Sequence, residues 1–370
     1  MMEMLERRVV ARGIRQVKYV EIVPVDEATG LVACVYEQLA RDLQILPPAV
    51  LHSSVPELLA ATWCMLRETL IVGSVPRLIK ETVAIGVSQA NVCTYCVQAH
   101  SLCLPANPSD LKELLPDFSA DDLVAVAKWA SRVSAKGIEA PLNRVFYDLE
   151  PAEILGTAVA FHYFNRMVNV FLESSPISLP PALRWTEGVI RHLGRSMGKR
   201  WTSITARPGD SLPLVPPGVL PGDFRWARTT PVVAGAFSRM ARVADTLALE
   251  LIPEEVRTLV ATRITRWNGE RVGVDRSWIE NTTRALHTMD RPLATLLLLT
   301  AMASHQVDSN LIASVRKGCP DPHDWSRYLV SVVAWAAFTA ARRVGTWLES
   351  YRDIATDATS TGQHRVGADA

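Results

Sequence analysis

Hydrophobic residues recur three and four positions apart through most of the chain, which is the pattern of amphipathic helices. The predicted helices cover residues 27–44, 56–72, 76–90, 93–104, 120–135 and 152–173. Alternating patterns typical of strands are scarce. Pro76 suits a first helical turn, and Asn91 suits a turn that ends a helix. The pattern therefore predicts an all-α protein.

Two segments lack this pattern. Residues 174–228 are rich in Pro, Gly and Ser, which predicts a linker that packs on the surface, with one helical pattern at 182–198. Helical patterns resume from Pro231. The tail, residues 350–370, has no core-forming pattern and is predicted to be disordered.

The two helical parts resemble each other at a constant offset of 177 residues. The offset matches residues at both ends of the unit, which makes it better evidence than any single match. The matching pairs are Pro76 with Pro253, Val83 with Val260, Ala84 with Ala261, Asn91 with Asn268, Phe161 with Phe338 and Arg166 with Arg343. We interpret the chain as a tandem duplication, with an N-terminal helical domain at 1–173 and a second repeat at 229–349.

Composition narrows the class of protein. The 370 residues suit two domains of moderate size, and 48% hydrophobic residues supply packed cores. A formal net charge of +1 argues against nucleic acid or an anionic membrane as the main partner. The longest apolar runs, 293–303 and 328–341, are shorter than the roughly 20 residues that span a bilayer.

The N-terminus is basic but has no apolar core of a secretory signal, so we expect a cytoplasmic protein. In a reducing compartment, its six cysteines do not form a disulfide framework.

The residues with chemical potential are concentrated between Glu81 and His100, in the stretch ETVAIGVSQANVCTYCVQAH. Cys93 and Cys96 lie three apart at the start of a predicted helix, close enough to form a disulfide after modest adjustment. A helix N-terminus favours the thiolate and lowers a cysteine pKa. His100 follows Cys96 by four residues, on the same helix face, and can take its proton.

Glu81 lies on the preceding helix. If the two helices form a hairpin, Glu81 and His100 reach similar depths, and the carboxylate can fix the tautomer and stabilise the charge of the imidazole. The spacing therefore predicts a carboxylate–imidazole–thiol proton relay with a second thiol beside it. Tyr95, between the two cysteines, is an auxiliary candidate that shields them, donates a hydrogen bond or simply packs.

The second repeat lacks this chemistry. At the same offset, the four residues Glu81, Cys93, Cys96 and His100 become Thr258, Glu270, Gly273 and Ser277. The packing positions keep residues of similar type in both repeats. The comparison therefore favours a functional role for these four residues over a purely structural one.

A structural zinc site is the main alternative. Its four ligands would be Cys93, Cys96, His100 and Cys103. They would lie along one helical stripe of about 15 Å, which does not suit tetrahedral coordination. We therefore expect no metal, and no cofactor is indicated.

The arrangement Glu, eleven residues, Cys-x-x-Cys, three residues, His resembles the active-site motif of the alkyl hydroperoxidase D-like branch of the carboxymuconolactone decarboxylase superfamily. The resemblance covers about 50–172 strongly and 229–349 as a degenerate copy. It implies two tandem all-helical domains that assemble into a homo-oligomer, for which we expect a dimer or trimer. Tyr95 departs from the best-known peroxidases of the family, which have a histidine there.

The resemblance also implies roles for the site residues. Cys96 would attack a peroxide, and Cys93 would resolve the sulfenic acid as a disulfide. His100 would be the base on Cys96, and Glu81 the distal carboxylate. A dithiol partner, a thioredoxin-like or dihydrolipoyl-type protein, would reduce the disulfide.

We therefore expect a thiol-dependent peroxidase acting on alkyl hydroperoxides or hydrogen peroxide. Two alternatives stay open: a dithiol–disulfide oxidoreductase, and a non-enzymatic oligomeric scaffold that senses redox state.

Overall fold

The computed structural model describes residues 17–105, 108–137, 149–176 and 206–362. Across these ranges the regular elements are helices and no strand occurs, so the prediction of an all-α protein is confirmed. The helices of the first half are α1 (Gly30–Asp42), α2 (Pro47–Val50), α3 (Pro56–Leu66), α4 (Arg77–Ala90), α5 (Thr94–Ser101), α6 (Pro108–Leu114), α7 (Ala120–Ala130) and α8 (Pro151–Phe171). A π-helical turn, Arg67–Ile71, extends α3.

The second half contains α9 (Pro231–Leu251), α10 (Glu254–Arg266), α11 (Ser277–Thr283), α12 (Arg291–Ala303), α13 (Ser309–Lys317) and α14 (Trp325–Gly362). Two short 3₁₀ segments, Leu212–Leu214 and Gly222–Thr229, precede α9. None of the helices in the described ranges is long and apolar enough to cross a membrane.

Helix α8 lies at the centre of the molecule. Its residues from 152 to 168 are all buried, because it packs against α4 on one side and against α14 of the second half on another. Helix α4 in turn packs closely on α7 at Gly86, where an added Cβ would approach the Ala127 carbonyl oxygen to 2.6 Å. The predicted active-site stretch therefore begins on the enclosed helix α4 and continues into α5, where Tyr95 and Cys96 are buried.

Helices at the offset of 177 residues occupy equivalent places. Helix α4 begins at Arg77 and α10 begins at Glu254. Arg166 Nη1 lies 3.3 Å from Asn91 Oδ1, and the equivalent Arg343 Nη2 lies 3.4 Å from Asn268 Oδ1. These parallels support the proposed tandem duplication, which stays a prediction along with its domain limits.

The described part of the predicted linker, residues 206–228, lies mostly at the surface but places a few side chains in the core. Phe224 and Trp226 are fully enclosed and pack on Phe237 of α9. The buried Glu68 carboxylate accepts hydrogen bonds from Gly209 N and Ser211 Oγ, which fixes the segment to the first half. Pro and Gly occur along this stretch as they do in a linker. Burying its aromatic side chains is nevertheless more favourable than leaving them exposed to solvent.

Two other predictions fall at the limits of the described residues. The helical pattern at 182–198 and the end of the tail at 363–370 lie outside them. Helix α14 continues to Gly362, past the predicted end of the second repeat at 349.

Candidate active site

Glu81 and His100 are hydrogen-bonded to each other at the centre of the candidate site. Glu81 Oε2 lies 2.5 Å from His100 Nδ1, and Arg77 Nε donates to Glu81 Oε1 at 2.7 Å. Burial by itself raises the pKa of Glu81, but Arg77 and His100 outweigh it and lower the pKa to about 2. Glu81 is therefore a carboxylate at neutral pH, and the predicted Glu81–His100 contact is present.

The turn between α4 and α5 aligns the two helices. Cys93 N donates to Ser88 O at 2.9 Å and Val92 N donates to Gln89 O at 3.2 Å, the hydrogen bonds of a Schellman motif. That motif needs one left-handed residue, and here it is Val92, with φ of 54°. A β-branched residue rarely adopts this conformation. Cys93 follows as the N-cap of α5.

Cys93 and Cys96 are free and almost fully buried, with 1% and 4% of their surface exposed. They form a separate apolar cluster with Tyr95, Val168 and Leu172, against which Val17 and Ala99 pack. Two reduced thiols are thus held side by side in apolar surroundings.

The protonation state of Cys96 differs from the sequence expectation. Burial, followed by the neighbouring Cys93 thiol, raises the pKa of Cys96 well above its usual value. The start of a helix should favour a thiolate, but enclosure dominates here because α8 covers the sulfur. Cys96 is therefore a protonated thiol at neutral pH and needs a base to react.

His100 is not among the groups that bear most on the pKa of Cys96, which are Cys93, Asn165 and Ser88. The His100 ring instead meets the edge of Phe161, with ring centroids 4.6 Å apart. His100 and Cys96 share a face of α5 one turn apart, so proton transfer between them stays a prediction.

Tyr95 lies against both cysteines. Burial, then Cys96 and Cys93, raises the pKa of the Tyr95 phenol, so it keeps its proton. It can therefore shield the sulfurs or donate, but it is not a base.

Three residues of the site are not predicted from the sequence: Arg77, Ser88 and Asn165. Cys103 is named there only as a ligand of the alternative zinc site. The i, i+4 spacing of Arg77 and Glu81 was a usable signal. Burial raises the pKa of the Cys103 thiol, and the Glu81 carboxylate raises it further. The side chains of Asn165 and Ser88 lower the pKa of Cys96 against the effect of burial. Asn165 lies on α8, far from the motif in sequence, so the motif gives no signal for it.

No group of three or more His, Cys, Asp or Glu side chains in the described ranges is arranged to hold a metal ion.

The fold and the site together define an all-α protein with a buried Cys-x-x-Cys pair and, on the same helix, a histidine hydrogen-bonded to a buried glutamate. No protein-family model matches the chain. A protein of Mycobacterium tuberculosis (strain ATCC 25618 / H37Rv), described as alkyl hydroperoxide reductase, is 35% identical over 338 residues, covering 90% of this chain and 95% of that protein. The chain belongs to the same family as this alkyl hydroperoxide reductase, which supports the resemblance to alkyl hydroperoxidase D-like proteins.

Proposed function

We propose that the protein is a thiol-dependent peroxidase that reduces alkyl hydroperoxides through Cys96 and Cys93. The observation that carries the proposal is the reduced cysteine pair, enclosed together on the helix that also carries the Glu81-paired His100. The similarity to a protein described as alkyl hydroperoxide reductase supports the same reaction class.

The reaction balances in three steps. His100 takes the proton of the Cys96 thiol, the thiolate attacks the terminal oxygen of the hydroperoxide, and the O–O bond breaks. Cys96 becomes a sulfenic acid, and the departing alkoxide leaves as the alcohol with the proton returned by His100. The Cys93 thiol attacks that sulfur, water leaves, and a Cys93–Cys96 disulfide forms. A dithiol protein, thioredoxin-like or dihydrolipoyl-type, then returns two electrons and is itself oxidised to a disulfide.

His100 supplies the base that the buried thiol needs. We assign it the Cys96 proton, taken directly or through one water, because it lies one turn along the same helix face. The charged Glu81 stabilises the imidazolium that results, and Arg77 keeps Glu81 ionised.

The surroundings of Cys96 favour an alkyl substrate over hydrogen peroxide. The sulfur lies among Val168, Leu172 and Ala99, with Val17 packed on the same cluster. An alkyl chain gains hydrophobic contact in such surroundings, whereas hydrogen peroxide gains none.

The second repeat has a structural role in this proposal. Arg166 Nε donates to Ala301 O at 2.8 Å, and Asn169 Nδ2 donates to Ser304 Oγ at 3.0 Å, so residues from the second half fix the active-site face of α8. We propose further that the chain assembles as a dimer or trimer in the cytoplasm. Light scattering that shows a monomer at working concentration contradicts the assembly.

Single-turnover consumption of cumene hydroperoxide by the reduced protein tests the activity. One equivalent should disappear per chain, with a Cys93–Cys96 disulfide in the product, and Cys96→Ser should abolish the loss. A matched control is Cys319→Ser, which removes a thiol of the second half.

If no peroxide is lost but a mixed disulfide with thioredoxin accumulates in Cys93→Ser, the protein is a dithiol–disulfide oxidoreductase instead. If oxidation changes only the oligomeric state, the sensor alternative is correct.

A further inference from the structure

Asn165 lies between the cysteine cluster and a buried polar network. It is fully buried on α8, one turn before Val168, which packs in the cluster of Cys96. Its Nδ2 donates to Ser88 Oγ at 2.9 Å, while its Oδ1 accepts from Asn91 Nδ2 at 3.0 Å. Against burial and the Cys93 thiol, the side chains of Asn165 and Ser88 lower the pKa of Cys96, which places both beside its sulfur.

The direction of this network is fixed by Arg166. A guanidinium can only donate, so Asn91 Oδ1, 3.3 Å from Arg166 Nη1, is the acceptor. Asn91 must then present its Nδ2 to Asn165 Oδ1, and Asn165 must present its own Nδ2 towards Ser88 and Cys96. Arg166 is itself held by the carbonyl oxygen of Ala301 at 2.8 Å.

The count of hydrogens decides which group donates to the sulfur. The Ser88 hydroxyl has one hydrogen, which it gives to Ala84 O at 2.6 Å. The Asn165 amide has two, and only one is directed to Ser88 Oγ. The second N–H of Asn165 is therefore the one that the Cys96 sulfur can accept.

We propose that Asn165 is a further catalytic residue, whose side-chain N–H donates to the Cys96 sulfur and stabilises its thiolate. Arg166 and Asn91 are positioning residues, which keep the amide of Asn165 turned with its N–H towards the sulfur. The proposal rests on the proposed function only in taking Cys96 as the attacking thiol.

The second half provides an internal comparison. At the offset of 177 residues, the positioning pair is kept as Asn268 and Arg343, which also contact each other. The positions of Cys96, Asn165 and Ser88 become Gly273, Arg342 and Thr265. The amide of Asn165 is thus replaced where the sulfur is absent, and Arg342 in its place donates to Asp223 and Asp245. The pair shared by both halves remains.

Other titratable groups near the sulfur do not supply this interaction. Cys93 and Tyr95 on α5 face Cys96 and disfavour a second negative charge beside them. On α8, burial lowers the pKa of His162, which stays neutral and accepts from Asn91 and Arg166. Arg166 is cationic, and its contacts run to Asn91, His162 and Ala301, so it acts on the sulfur through the amides.

The test measures the Cys96 thiolate directly, in a Cys93→Ser background. Alkylation of the Cys96 peptide by iodoacetamide, quantified by mass spectrometry as a function of pH, gives its titration midpoint. Asn165→Ala should raise this midpoint by about one pH unit, since a hydrogen bond to a charged group is lost. Asn165→Ser keeps a donor and should raise it less. The titration midpoint of Cys96 is measured without peroxide turnover. An unchanged midpoint therefore refutes the role of Asn165, whereas a lack of peroxide consumption refutes the proposed function.

Thr265→Ala is the matched control, because Thr265 Oγ1 donates to Ala261 O at 2.9 Å as Ser88 does to Ala84 O, with no sulfur nearby in the second half. It should leave the midpoint unchanged. A folded Asn165→Ala protein, verified by circular dichroism, with an unchanged Cys96 midpoint overturns the proposal. If Asn165→Ala does not fold, the same reading on Asn165→Ser decides the matter.

Discussion

Glu81 and His100 face each other across two helices, with 2.5 Å between Oε2 and Nδ1 and no exposed surface on Glu81. The histidine is held by a carboxylate whose charge is secured from the other side by Arg77. In the proposed function, this pair is the oriented base that takes the Cys96 proton.

Glu81→Gln should remove a pH-dependent part of the stability. The pKa of Glu81 is about 2 in the folded protein, against an ordinary value of 4.5. A depressed carboxyl pKa contributes stability that is fully present above pH 4.5 and is lost as pH falls towards 2, about 3 kcal/mol in all.

Urea unfolding between pH 2 and pH 7 checks this. The free energy of unfolding should fall more steeply with acid for wild type than for Glu81→Gln. Parallel curves for the two proteins contradict the assignment. Thr258→Ala, at the equivalent position of the second half, is the control for side-chain loss on the matching helix.

His100→Ala should lower the rate of peroxide consumption by about 100-fold, the usual contribution of a general base. The fold should persist, because 20% of the His100 side chain is exposed. Stopped-flow measurement of peroxide loss gives the rate, and His323→Ala, in the second half, is the control. A His100→Ala rate within twofold of wild type contradicts the role of His100 as the base on Cys96.

Val92→Gly should stabilise the protein by about 1 kcal/mol, because the left-handed conformation costs a non-glycine residue 1–2 kcal/mol. Val92 has φ of 54° and is 49% exposed, so glycine relieves the strain with little loss of packing. The equivalent position in the second half is Gly269, with φ of 91°. Thermal unfolding measures the change.

The reciprocal substitution, Gly269→Val, should be destabilising by well over 1 kcal/mol. A Cβ there would overlap the Ser134 carbonyl oxygen, and valine would also have to adopt the left-handed backbone conformation of Gly269. Val92→Gly with a lower melting temperature contradicts the assignment of strain at Val92.

Arg166→Met should lower stability by about 3 kcal/mol, because it leaves buried acceptors on Asn91, His162 and Ala301 unpaired. Its counterpart Arg343 is partly exposed and bonds the Trp267 carbonyl oxygen, so Arg343→Met should cost about 1 kcal/mol. The urea unfolding midpoints of the two variants show which substitution causes the larger loss of stability. A smaller loss for Arg166→Met contradicts the claim that this arginine holds the active-site face of α8.

The fold class and the Glu81–His100 contact were accessible from the sequence. Helical periodicity and the spacing from Glu81 to His100 depend on local geometry, which repeats from residue to residue. The burial of Phe224 and Trp226 could not be predicted from the sequence, because the Pro and Gly residues around them are typical of a linker. Only the tertiary packing shows which residues these aromatic side chains contact.

The protonation of Cys96 and the donor Asn165 were also inaccessible, for a related reason. Both depend on how α8, 55 or more residues away in sequence, covers the sulfur. Local reasoning from the helix N-terminus gave the opposite direction for the pKa of Cys96. Desolvation is a long-range effect that a motif does not encode.

The central claim is that Cys96 reduces a peroxide and Cys93 resolves the product. Its most direct test is peroxide consumption by fully reduced protein in a single turnover, with an alkyl hydroperoxide, for wild type, Cys93→Ser and Cys96→Ser. The account predicts one equivalent consumed by wild type, a sulfenic acid on Cys96 captured by dimedone in Cys93→Ser, and no consumption by Cys96→Ser. Equal consumption by wild type and Cys96→Ser, or none by either, contradicts it.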